Sequence, residues 1–299
     1  MGLKVTIDVF SGRENPVVIL DNREASQFLK KMKRGKKSKL TSRNAPPSTL
    51  GYRGLIVEQT GSVIASFPKK FRLAADSLYG SSSRISTEGI RGAEEYVFDK
   101  LSKVKNVKLE RSFKKRFIYE VDRFYELNER LKLIKIKWPL FPVCKCAPIY
   151  EPDWWNNNPQ IKGNNNCYNY ACNYRTDTFA QPGRATGNMY TSLSGCAVPA
   201  PGRSALDGAV SDALINTPTA NNKCPSKGHL VALVIAPDWD FHWYRKGTNG
   251  LWSHKPGSTS VTNKDNSNKL IADPRTADRG PYTQFCTFMN VMHGHIKIN

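Results

Sequence analysis

The sequence predicts an α+β fold in two domains: a basic front domain over residues 1–140 and a cysteine- and histidine-bearing domain over residues 141–299. Three observations lead there. Segments with period-two apolar alternation are interspersed with segments at helical spacing. Residues 1–150 carry 31 basic and 15 acidic side chains, whereas residues 151–299 carry 14 and 10, so most of the +20 net charge sits in front. All seven cysteines and all five histidines follow residue 143, just behind the pattern-breaking Trp138-Pro139-Leu140-Phe141-Pro142.

Taken in order, Leu3, Val5, Ile7 and Val9 alternate with polar neighbours, and Val17-Val18-Ile19-Leu20 follows the Ser11-Gly12-Arg13 turn, which predicts two strands. Asp21 caps a helix to about residue 33, in which Glu24, Phe28, Leu29 and Met32 recur at helical spacing. The lysine-rich run at 30–39 and Asn44-Ala45-Pro46-Pro47-Ser48 read as a solvated loop. Residues 54–58 read as a strand and 92–103 as a helix, while 121–137 fits helix and strand equally. Behind the break, a polar turn at 163–166 leads into a helix-compatible segment from Cys167. A small-residue helix spans 205–215. Residues 227–238 form a buried strand, 240–246 a second, and 251–257 a third beyond the Gly247-Thr248-Asn249-Gly250 hairpin loop.

Composition excludes several classes. A 39% hydrophobic content with 10% aromatic residues supplies a core and excludes wholesale disorder. No run approaches the ~18 apolar residues that cross a bilayer. The start, Met1-Gly2-Leu3-Lys4-Val5, lacks an apolar signal core, so the expected location is cytoplasmic, or exported without a standard leader. The front charge suits an anionic partner, nucleic acid or a membrane surface, although no nucleic-acid module is recognisable and solvated loops explain it as well. If the chain is exported, seven cysteines make three disulfides and one free thiol. Cys144-Lys145-Cys146 is too closely spaced for a zinc knuckle, so neither a metal nor a cofactor is expected. His229 reads as structural. His293 and His295 read as a capping end, with a weak surface metal site as the alternative.

The chemistry concentrates at Cys167. Capped by Asn165 or Asn166, it stands at a helix N-terminus, where the dipole favours thiolate and free backbone N–H groups hold an oxyanion. The alternative is a half-cystine or a small buried hydrophobe. His242 and His254 fall on neighbouring antiparallel strands, roughly opposite each other about the hairpin centre. A helix-borne thiol, a strand-borne imidazole and an orienting polar group are the parts of a cysteine hydrolase.

The order resembles the papain-like superfamily, in particular bacterial CHAP-type amidases and cell-wall cysteine endopeptidases. Asn166-Cys167-Tyr168-Asn169-Tyr170-Ala171 is similar to their nucleophile motif, and Gly228-His229-Leu230-Val231 to their Gly-Asp-Leu-Val strand, though without its Asp. His242 matches their strand histidine but is followed by the bulky Trp243-Tyr244. The resemblance covers residues 150–290 and implies a nucleophile helix packed on an antiparallel sheet. It implies Cys167 as nucleophile, His242 as its partner and His254 as orienter, with Asp273 in reserve and Asp240 as a weaker candidate. Gln160 or Asn166 would complete the oxyanion site, and Trp243 would line the cleft. The substrate would be a peptide or amide, in peptidoglycan or a host protein. The alternative is a non-catalytic basic effector or binding protein with its cysteines in disulfides.

Overall fold

The computed structural model describes residues 2–32, 48–61, 68–74, 77–79, 87–101, 116–124 and 144–299. The basic run at 33–39, the loop at 44–47, the ambiguous stretch at 125–137 and the break at 138–142 lie outside the described residues. Two compact units emerge. Met1–Val9, Asn15–Pro47 and Tyr52–Glu129 form the first, and Phe10–Glu14, Ser48–Gly51 and Arg130–Asn299 the second. Both helices and antiparallel sheets are present, so the α+β class read from the sequence holds.

In the first unit, β1 (Gly2–Ile7), β2 (Val17–Leu20), β3 (Leu55–Thr60), β4 (Lys70–Ala74) and β5 (Ser77–Tyr79) form a sheet in the order β2-β1-β3-β4-β5. The alternation in β1 does what period two requires: Leu3, Val5 and Ile7 are fully buried while Lys4 is exposed. Its register, Leu3 opposite Leu20 and Val57 opposite Val5, aligns the apolar faces of three strands. Helix α1 (Asn22–Met32) starts where Asp21 accepts from the Glu24 N–H and buries Ala25, Phe28, Leu29 and Met32. Helix α2 (Thr87–Leu101) packs against it. Tyr52 anchors this core, its ring edge-on to Phe117 and Phe124 and its hydroxyl donating to Glu94 at 2.6 Å.

The second unit holds the short helices α3 (Pro152–Asn156), α4 (Pro159–Asn164), α5 (Cys167–Cys172) and α6 (Ala205–Ser211). Its sheet contains β6 (Ile215–Asn216), β7 (His229–Ala236), β8 (Asp240–Lys246), β9 (Trp252–His254) and β10 (Gln284–Val291), in the order β6-β10-β7-β8-β9. Strand β7 is buried along its whole length, as its unbroken apolar run demands. On one sheet face Val231, Leu233, Ile235, Phe241, Trp243 and Met289 join Cys167, Tyr168 and Ala171 of α5 in a single cluster. Two disulfides, Cys144–Cys224 and Cys196–Cys286, close this unit where three were expected of an exported chain. Cys146 is free and exposed; Cys167 and Cys172 are free and buried. Among the described residues no helix is long and apolar enough to cross a membrane.

Candidate functional site

Helix α5 begins as its sequence dictates. Asn166, not Asn165, is the cap: its Oδ1 accepts from the N–H groups of Tyr168 and Asn169 at 3.0 and 3.1 Å, and Asn169 returns the bond to the Asn166 N–H. The Asn166 Nδ2 donates to Gly12 O and Ala180 O at 2.8 and 2.7 Å. Every polar position of this amide is therefore engaged, and no donor remains for an oxyanion. Asn165 instead ties Ile161 O and Asp177 together.

Cys167 is fully buried at the start of this six-residue helix. Burial pushes its thiol far up, the nearby Asp240 adds to the effect, and the Trp243 N–H and Lys255 oppose it without prevailing. The expected stabilised thiolate is thus reversed in direction, because loss of water around the whole sulfur outweighs the dipole of fewer than two turns.

The two histidines do meet. His242 Nε2 and His254 Nδ1 lie 2.8 Å apart, and both rings are fully buried. The register is offset from the expected one: His254 stands opposite Tyr244, so His242 reaches it diagonally on the same face. The remaining nitrogens are taken too. His242 Nδ1 lies 2.8 Å from Ser11 Oγ and His254 Nε2 lies 3.0 Å from Lys264 O. Phe241 and Trp243 point into the cluster that contains Cys167, whereas His242, between them, points the opposite way toward Tyr244, His254 and Tyr282. The imidazole has no nitrogen left for the thiol, and its face of β8 is the other one.

The other sequence-derived candidates separate as well. Gln160 is exposed on α4. Trp243 is fully buried against Tyr168, a core residue rather than a cleft wall. Asp273 binds Arg275 and Asn222; burial pushes its carboxyl up, but the Arg275 guanidinium outweighs this and holds it down. Asp240, the weaker candidate, is the carboxylate that joins the histidines, and it does so through two residues that sequence reasoning did not single out.

That link is a buried polar chain. Asp240 accepts from the N–H groups of Ser11 and Arg13 at 2.6 and 3.0 Å and from the Tyr282 hydroxyl. Tyr282 Oη and Ser11 Oγ lie 2.7 Å apart. Because Lys264 O only accepts, His254 carries its proton on Nε2. The His242–His254 contact carries one proton between Nε2 and Nδ1. The chain Asp240–Tyr282–Ser11–His242–His254–Lys264 is joined by five close polar contacts. Burial pushes the Asp240 carboxyl up, so that it keeps its proton to higher pH than a free one, against the opposing bonds it accepts from Tyr282, Ser11, Gly12 and Arg13.

A folded state that keeps this proton where the unfolded chain releases it gains stability at acid pH. That gain is lost as pH rises from the ordinary carboxylate value of 3.8 through the raised one. Tyr282→Phe removes two links, one of them a bond that holds the Asp240 carboxyl down. It is expected to cost about 1–2 kcal/mol and to let the Asp240 carboxyl rise further, so that the pH-dependent loss extends to higher pH. Denaturant melts of both proteins between about pH 4 and 8 follow the loss, and an unchanged pH dependence in the variant refutes the coupling of Tyr282 to Asp240.

Comparison with protein-family models and with solved structures yields no match, so the papain-like resemblance draws no support from either. A curated relative does match: insoluble matrix shell protein 1 of Ruditapes philippinarum is 45% identical over 147 residues, which cover 49% of this chain and 91% of that protein. The relative's name describes an insoluble component of a shell matrix. It overturns the expectation of a cysteine hydrolase cleaving peptides or amides, and with it the protease reading. The physical reason is in the site itself, where burial pushes the thiol up and both nitrogens of each imidazole have other partners. By this identity and coverage, the chain belongs to the family of insoluble matrix shell protein 1.

Proposed function

We propose that this protein is a non-catalytic structural component of an extracellular, shell-type matrix. The observation that carries the reading is its 45% identity to a protein named for that role. The two disulfides agree with it, since such bonds persist in oxidising compartments and are rare in reducing ones. The second unit is built as a scaffold: the polar groups of its would-be active site bond to one another rather than facing a cleft. The +20 net charge supplies attraction for anionic matrix material, and most of it resides in residues 1–150.

Fractionation of the source tissue tests this. The chain is expected in the matrix that stays insoluble after chelator and dilute acid, and to be released by denaturant with reductant. Mass mapping of that material should return the Cys144–Cys224 and Cys196–Cys286 peptides as linked pairs. Recovery in the soluble cell lysate, with all cysteines reduced, overturns the proposal.

A further inference from the structure

Strand pairing brings together two histidines that are 64 residues apart. His229 opens β7, opposite Val291 of β10, and His293 sits in the turn just beyond Val291. His229 is fully buried, and its Nε2 donates to Ala171 O, near the end of α5, at 2.7 Å. A carbonyl oxygen cannot donate, so this contact places the His229 proton on Nε2 and its lone pair on Nδ1. That lone pair faces His293 Nε2 at 3.4 Å, with ring centroids 5.0 Å apart and ring planes inclined by 32°.

The separation discriminates between two interactions. An N–H···N hydrogen bond is most favourable near about 2.9–3.0 Å. Two imidazole nitrogens held at ~2.0–2.1 Å from one tetrahedral ion stand about 3.3–3.4 Å apart, as simple geometry requires. The observed distance is long for the first and fits the second. The bond from His229 Nε2 to a backbone carbonyl is the kind of support that orients metal-ligating histidines. His293 lies exposed, so further coordination positions are open on its side.

We propose that His229 Nδ1 and His293 Nε2 together bind a zinc-class divalent transition-metal ion. His293 serves as its Nδ1–H tautomer, and the coordination is completed by water or by a donor from another molecule. Two imidazoles select ions of the zinc, copper and nickel type over calcium, which takes oxygen ligands. Among the described residues no group of three or more His, Cys, Asp or Glu gathers for a metal, so this is an open two-histidine site rather than a closed structural one. The site does not depend on the matrix reading, because any protein with this turn would carry it.

Titration calorimetry of the tag-free chain of residues 1–299 with zinc(II) tests the site. One ion per chain is expected. His293→Ala, an exposed change that leaves the His229–Ala171 bond in place, should weaken binding at least about tenfold. His295→Ala, two residues along the same turn, should leave it within about threefold of wild type. Substituting the buried His229 endangers the fold, so its part is read by NMR: its ring signals should move with zinc in the wild type and stay still in His293→Ala. Absence of zinc binding, unchanged affinity in His293→Ala, a loss in His295→Ala as large as in His293→Ala, or unmoved His229 signals each overturn the proposal.

Discussion

Asp8→Asn is expected to destabilise the first unit by about 3–5 kcal/mol, the range found when one partner of a buried ion pair is removed. Asp8 and Arg53 are both fully buried, with Oδ1 and Nη2 2.6 Å apart, and Arg72 approaches Oδ2 from a largely buried position. Burial alone would raise the Asp8 carboxyl, but the two guanidinium groups outweigh it and hold the group at about 2. The folded-state value is depressed, so its stabilisation is fully present above the ordinary value of 3.8 and is lost as pH falls through about 2. Asparagine keeps the shape and removes the charge that the buried Arg53 guanidinium faces. Urea melts at neutral pH and at about pH 3 measure both effects. A variant as stable as wild type at neutral pH would show that the pair contributes nothing net.

Opening the two disulfides is expected to have an effect as large in the second unit. The bridges close loops with sequence separations of 80 and 90 residues. Loop-closure entropy for that length corresponds to about 4–5 kcal/mol for each bond. Cys196→Ala with Cys286→Ala should therefore lower the calorimetric melting temperature of the oxidised protein, and reductant should lower that of the wild type further than that of the variant. Equal melting temperatures with and without reductant would show that the bonds do not hold the fold. The result also bears on location, because a unit that needs both bridges folds poorly where thiols are kept reduced.

Much of the local structure was legible in the residues. Asp21 and Asn166 start helices for the reason their side chains suggest, and the runs at 229–236 and 240–246 are the strands that their apolar content requires. The hairpin arithmetic brought His242 near His254, missing only the two-residue offset in register. Strand β10 escaped notice because its ladder to β7 is irregular between Phe285 and Thr287, which breaks the alternation that marks a strand. Ser11 and Tyr282 escaped for a different reason. They lie 271 residues apart, and Ser11 reads locally as an ordinary turn residue.

The sequence by itself determined the α+β class, the charge asymmetry, the helix that starts at Cys167 and the strand that carries His242. These follow from spacing and capping within a few residues of chain, where each side chain acts on its own backbone. Only the tertiary structure decided what Cys167 and His242 face. The period-two pleat of β8 sends Phe241 and Trp243 toward the thiol and His242 away from it. Full burial then raised the thiol that the helix dipole alone would have lowered. Which side of a strand a residue presents to its distant neighbours depends on how the sheet packs, and that packing buried the thiol and the imidazole on opposite faces of β8.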